Sequence, residues 1–161
     1  MAFGLRKHFL LRDDVVFLNH GSYGACPRLV FEDYQYWQLE LEKQPVEFMN
    51  EHRRSLKLIR NVREYLGDFI GSHPDNLVAV TNVTTGLNIV ARSLPLKAGD
   101  EILTSDQEYG SLEKTWTFIA RKTGATYIHA DVPLPLASAA EFTEAIWSKV
   151  TSQTKVIFLS H

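Results

Sequence analysis

The chain is short of the features that would make its function obvious. It has one cysteine, Cys26, so no internal disulfide can form. Stability must come from packing, and a reducing compartment fits. No apolar run approaches the length that a membrane span needs. Met1–His8 carries Arg6 and Lys7, but Arg12, Asp13 and Asp14 interrupt any apolar stretch after it, so no signal peptide is expected. The cytoplasm is the expected location. Positive charge is not in excess: 17 Lys and Arg stand against 19 Asp and Glu, a net charge of −2. Without a basic footprint, neither nucleic acid nor an anionic membrane is an expected partner. The six histidines include no pair at metal-ligand spacing with a carboxylate beside it, so no metal site is expected. There is no Gly-x-Gly dinucleotide fingerprint and no Gly-Lys-Ser/Thr phosphate loop.

What remains is an ordinary globular composition, 45% hydrophobic and 22% charged over 161 residues. A chain of this length can bury a sizeable core. It reads as two parts. Residues 1–75 are mainly helical after a short expected strand, Val15–Leu18. That run ends in Asn19-His20-Gly21-Ser22-Tyr23-Gly24, a loop of glycines and short polar residues. Pro27 suits a first helical turn. Leu29, Val30, Tyr34, Trp37 and Leu41 then recur at helical spacing, until Pro45 breaks the pattern. A second helix is expected from His52 to Ile70, with a stripe of Ile59, Val62, Leu66 and Phe69 and a C-cap glycine at Gly71.

Residues 76–161 alternate. Strands are expected at Leu77–Val80, Glu101–Thr104, Thr126–His129 and Lys155–Leu159. Helices are expected at Thr85–Arg92, Ser111–Lys122 and Ser138–Lys149, the last opened by a capping box of Ser138 and Glu141. Alternation of this kind predicts an α/β fold with a mostly parallel sheet and flanking helices. Ligands in such sheets bind beyond the carboxyl ends of the strands. The last strand has no following helix, so part of one sheet face is expected to stand uncovered, with the site still under construction.

Three segments carry candidate chemistry. The turn Thr81–Asn88 lies between a strand and a helix, where free backbone N–H groups can bind an anion and Asn82, Thr84 and Thr85 can add hydrogen bonds. The same residues also make ordinary N-caps, which is their commoner role. Asp106-Gln107-Glu108-Tyr109-Gly110 follows another strand, and Tyr109 is either a ring that stacks on a planar ligand or an exposed loop tyrosine. Asn19–Gly24 is either a close-approach ligand loop or a turn feeding the Pro27 helix. His129 is expected to be a packed residue rather than a ligand. With no activating neighbour in view, Cys26 is expected to be buried or inert.

Four motifs in order change the weighing. Phe17–Gly24, Asn82–Asn88, Gly99–Leu103 with Glu108-Tyr109, and Phe158–His161 together resemble the N-terminal part of the class V aminotransferases, above all the isopenicillin N epimerase-like branch. These are pyridoxal 5'-phosphate (PLP) enzymes of fold type I. The resemblance implies that Val83 and Thr84 hold the PLP phosphate with Thr85 nearby, and that Tyr109 stacks on the pyridine ring where the family's desulfurases place a histidine. It implies that Asn19, His20 and Gly21 line the substrate entrance. It also implies a helical part of the small domain over 1–75, a partial PLP-binding large domain over 76–161, an amino-acid substrate, and a homodimer. The reaction would be transferase, isomerase or lyase chemistry: transamination, epimerisation or C–S cleavage.

The same resemblance leaves a gap. The family's Schiff-base lysine, the acid that pairs with the pyridine nitrogen, and the substrate-gripping arginine all come later than His161. None of the eight lysines present stands in the family's lysine context. No catalytic residue is therefore assigned within the chain, and the isolated chain is expected to be inactive. In the family, the strand at Leu77–Thr81 pairs with a late strand, so it is expected to lie apart from the strand at Glu101. The alternatives are a non-catalytic fragment or split subunit that binds a complementing C-terminal polypeptide, and an unrelated α/β domain that binds another phosphorylated ligand.

Overall fold

The computed structural model describes residues 4–160. His161, the last residue of the Phe158–His161 motif, and the start of the Met1–His8 segment lie outside the described residues. The chain divides into two compact units, Met1–Val78 and Ala79–His161.

In the first unit, helix α1 (Arg28–Lys43) follows Pro27, whose φ of −58° already suits helix entry. The helix ends at Lys43, just before Pro45, as expected, because the residue that precedes a proline is disfavoured in helical geometry. Only Gln44 leaves helical geometry (φ −152°), and Pro45 opens a short helix, α2 (Pro45–Met49), at a position where a missing N–H costs nothing. The expected helix from His52 begins instead as a wider π-type turn, Glu51–Ser55. The Asn50 side chain caps that turn by accepting the His52 N–H at 2.9 Å. Helix α3 (Leu56–Ile70) follows and stops at Gly71, whose φ of +70° is the left-handed cap conformation. Gly67 is buried on α3. A Cβ there would stand 2.6 Å from the Ser72 carbonyl, so only glycine lets the chain fold back so tightly.

The expected strand at Val15–Leu18 is not formed. A strand needs a second backbone to take its N–H and C=O groups, and among the described residues none does. The one bridge in this region joins Phe9 to Pro27. Val16 and Leu18 are 83% and 87% exposed.

The second unit is a βαβ assembly. Helix α4 (Val83–Ser93) leads to strand β1 (Glu101–Ser105), helix α5 (Gly110–Thr123), strand β2 (Thr126–Ala130), helix α6 (Ala139–Trp147) and strand β3 (Thr154–Ile157). The three strands are parallel in the order β2-β1-β3. Period-two alternation sends Ile102 of β1 into one core with Ala91, Leu112, Trp116, Ile119 and Phe158, beneath α4 and α5. Leu103 enters the other core with Ala130, Val132 and Ile146, beneath α6. Cover is incomplete at β3, where Ile157 is 42% exposed. Gly124 ends α5 at φ +78°. Ser138 caps α6 as expected, but Glu141 reaches back to the Ala137 N–H, one residue before the cap, so the capping box is displaced by one position.

The expected strand at Leu77–Val80 is not formed: the segment lies outside the sheet, and both sides of β1 are taken by β2 and β3. This agrees with the expectation that it would stand apart from the Glu101 strand.

Candidate functional site

The first turn of α4 separates the two roles open to its polar residues. Asn82 is the cap: its backbone is extended (φ −165°) and its Oδ1 accepts the Thr85 N–H at 2.8 Å. That leaves the N–H groups of Val83 and Thr84 with no acceptor among the described residues, as the first turn of a helix dictates. The hydroxyls of Thr84 and Thr85 are also unclaimed there. No acidic side chain occupies this turn. Val83 is 72% exposed, so the donors open to solvent. Gly86 lets the turn close over Val80, since a Cβ would sit 3.3 Å from Val80 Cγ2. Backbone and hydroxyl donors at the positive end of a helix dipole, free of competing carboxylates, suit a phosphate group.

The loop after β1 is held on both sides by its own carboxylates. Asp106 accepts the Val132 N–H at 3.0 Å, beyond β2. That bond, with a further one from Gln107, holds the Asp106 carboxyl below the usual carboxylate range. Glu108 reaches the opposite way, to Ser160 beyond β3. Tyr109 is the N-cap residue of α5, and its carbonyl accepts the Leu112 and Glu113 N–H groups. The residue is 58% exposed, and its ring stacks on no described aromatic residue.

Several connecting residues were not foreseen. Asn88 Nδ2 donates to the Thr84 carbonyl at 2.9 Å and to Thr115 Oγ1 at 3.1 Å. It thereby ties the first turn of α4 to α5, the helix that Tyr109 begins. Thr104 is fully buried and donates to the Phe158 carbonyl at 2.7 Å. A polar residue inside the apolar Ile-Leu-Thr run of β1 was the available signal for it. The Asn88–Thr115 contact spans 27 positions and has no local signature.

His129 packs, as expected, but at the surface rather than in a core, with its ring 4.6 Å from that of Tyr127. Its side chain is 39% exposed and its Nε2 lies 2.9 and 3.1 Å from the two Glu113 oxygens. Tyr127 donates to the same carboxylate at 2.7 Å, and burial together with that carboxylate pushes the Tyr127 hydroxyl upward from its ordinary pKa. The three side chains fasten α5 to β2.

Asn19, His20 and Gly21 belong to the first unit and form an exposed turn. The His20 ring packs edge-on against Phe17 at 4.6 Å, and its Nδ1 lies 3.4 Å from the Ala25 N–H. Cys26 is exposed rather than buried. Among the described residues no group of three or more His, Cys, Asp or Glu side chains could hold a metal ion, and no helix is long and apolar enough to cross a membrane.

The parallel sheet with its flanking helices makes the second unit an α/β fold, with unclaimed donors at the start of α4 and an exposed tyrosine beyond the carboxyl end of its central strand. The comparisons give the family. The family model for class-V aminotransferases matches residues 19–161, and the chain belongs to that family. It is 36% identical over 156 residues to isopenicillin N epimerase of Streptomyces clavuligerus, covering 97% of this chain and 39% of that protein. It is 35% identical to the isopenicillin N epimerase of Amycolatopsis lactamdurans, with the same coverage of both chains. A probable cysteine desulfurase of Vibrio cholerae is 32% identical over 124 residues, 70% of this chain and 30% of that one.

Among solved structures, a lysine-to-alanine variant of C-DES, with glycine covalently linked to its PLP cofactor, superposes with a TM-score of 0.80. It is 27% identical and covers 97% of this chain and 40% of its own. The cystine C–S lyase C-DES with its product cysteine persulfide gives 0.79 at 27% identity, covering 92% and 39%. The chain thus spans about two fifths of the length of the proteins it matches. The α/β fold is borne out, and the expected cofactor is the one that C-DES carries.

Proposed function

We propose that the complete protein is a PLP-dependent enzyme acting on amino acids, of the aminotransferase, epimerase or C–S lyase type. In this reading the first unit is part of the small domain, and the second is the front of the PLP-binding large domain. The observation that carries the proposal is the set of unclaimed donors at the start of α4, tied through Asn88 and Thr115 to the helix that Tyr109 begins. The Val83 and Thr84 N–H groups and the Thr84 hydroxyl bind the phosphate, with Thr85 beside them. Tyr109 lies against the ring and fixes its plane. Asn19, His20 and Gly21 line the substrate entrance. When bound, PLP supplies an electron sink for bond cleavage at the amino-acid Cα.

The lysine that anchors the cofactor and serves as base is supplied by sequence outside residues 1–161, in the same polypeptide or in a complementing one. Residues 1–161 alone are inactive, and the working protein is a cytoplasmic homodimer. The relatives that match nearly the whole chain at 35–36% identity are epimerases. A tyrosine at position 109 rather than a histidine favours the same branch over the desulfurases.

Spectrophotometric titration of the complete protein with PLP tests the proposal. Wild type should give an adduct that borohydride traps. Tyr109→Ala should weaken PLP binding about two- to tenfold, the range expected for an aromatic contact. Absence of a trapped adduct, together with unchanged binding by the variant, would leave a non-catalytic domain that binds some other phosphorylated ligand.

A further inference from the structure

We propose that Glu108 is a positioning residue for Tyr109, working by clamping the start of α5 to the segment that leaves β3. This rests on the stacking role given to Tyr109 above. Tyr109 cannot set its own direction: the residue is 58% exposed, and no described residue takes its hydroxyl or stacks on its ring. Its aim must come from its backbone, and Glu108 holds that backbone from two sides. The half-buried Glu108 carboxylate accepts the Ser160 N–H at 2.6 Å on Oε1, the Ser160 hydroxyl at 2.7 Å on Oε2, and the Tyr109 N–H at 3.2 Å on Oε2.

No described cation pairs with this carboxylate. Its partners are neutral donors from two different segments, so it works as a hydrogen-bonding hub. Hydrogen bonds to a charged acceptor are shorter and stronger than neutral ones, and these two Ser160 bonds are short. The segments joined follow neighbouring parallel strands, β1 and β3. Thr104 makes a second, buried tie from β1 to the segment that leaves β3, at the Phe158 carbonyl. On the other side, Asp106 fixes the same loop to the residue after Ala130 and Asp131. The loop is therefore staked to both neighbouring strands, and Tyr109 emerges next to the Glu108 stake. Release of that stake frees the ring while β1 and both cores stay in place.

The test uses the complete protein and four variants: Glu108→Ala, Glu108→Gln, Tyr109→Ala and the Glu108→Ala/Tyr109→Ala double variant. The readouts are the PLP dissociation constant, the induced circular dichroism of the bound cofactor, and the thermal midpoint of the cofactor-free protein. Glu108→Ala should weaken PLP about two- to tenfold, no more than loss of the ring contact itself, and should diminish the induced signal. Glu108→Gln should recover part of both, since one amide oxygen still accepts from Ser160. In the Tyr109→Ala background, Glu108→Ala should add nothing.

An equal effect of Glu108→Ala with and without the tyrosine ring overturns the proposal. So does a lowered thermal midpoint with unchanged affinity and unchanged dichroism, which is the mark of a purely structural role. If Glu108→Ala does not fold, Ser160→Ala takes its place. It removes only the hydroxyl donor and should give a smaller change of the same sign; no change overturns the clamp. If Tyr109→Ala itself binds PLP as wild type does, the stacking reading has failed, whatever Glu108 does.

Discussion

The two units solve the burial problem differently. Among the described residues, every buried apolar side chain lies in the second unit, in two clusters on the faces of the parallel sheet. The helices of the first unit bury one residue, Gly67. Helix α3 nevertheless carries a clean apolar stripe: Ile59, Val62, Leu66 and Phe69 are 51%, 65%, 45% and 87% exposed. Amphipathic spacing fixes which face of a helix is apolar; it does not supply the surface that covers it. The first unit relies on local devices instead. Arg54 lies over the Trp37 and Phe48 rings at 5.5 and 5.3 Å while its guanidinium bonds Glu40.

The sharpest way to break this comparison is a pair of large-to-small changes. Trp116→Ala in the second unit should cost about 3–5 kcal/mol, the usual range for an aromatic residue in a core. Phe69→Ala on the exposed stripe should stay within about 0.5 kcal/mol. Chemical denaturation of both variants checks this, and equal costs would mean that the α3 stripe is buried after all. Trp116→Phe should be milder than Trp116→Ala, because the Trp116 Nε1 has no hydrogen-bond partner among the described residues.

The next effect belongs to the first unit. Gly67→Ala forces a Cβ against the Ser72 carbonyl and should destabilise by about 1–3 kcal/mol, like other overpacked sites. Gly71→Ala faces open space, so its cost should be limited to the left-handed conformation, about 1–2 kcal/mol. A Gly67→Ala variant as stable as wild type would refute the tight turn after α3.

The smallest effect separates two carboxylates. Glu40 is held below its ordinary pKa of 4.5, first by Lys43 and then by Arg54. Asp106 is held below 3.8, first by the Val132 N–H. Both folded values are depressed. Each group's stabilising contribution is therefore complete above its ordinary value and fades as pH falls through the depressed one. The Glu40 side chain is itself 16% exposed, but its partner Lys43 is 69% exposed, and salt screens such a pair more than a hydrogen bond to a backbone amide. Carboxyl NMR titrations should show Glu40 moving toward its ordinary value at high salt and Asp106 moving less. Equal movement would mean that charge, rather than the Val132 N–H, dominates at Asp106.

The sequence was most legible where a local rule decided the outcome. Gly71 and Gly124 end their helices in the left-handed conformation, Asn82 and Ser138 cap theirs, and three of the expected strands form in parallel. It was least legible where a distant partner decides. Val15–Leu18 and Leu77–Val80 have strand-like composition but no pairing partner among the described residues. His129 was expected to pack because it sits inside a strand, but its partner there, Glu113, is sixteen positions away and had no local signature. At the candidate site, Val83, Thr84, Thr85 and Tyr109 were visible as residue types at strand–helix junctions. The ties that organise them, through Asn88, Thr104 and Glu108, were not, because each is a contact between segments far apart in sequence.

In the proposed function, the first turn of α4 grips a phosphate while Tyr109 grips a ring. The most direct measurement is the affinity of the complete protein for PLP and for pyridoxal, which lacks the phosphate, in wild type and Thr84→Val. Loss of a hydrogen bond to a charged group should weaken PLP at least about tenfold and leave pyridoxal binding unchanged. Equal weakening of both ligands, or of neither, would contradict the placement of the phosphate at the start of α4.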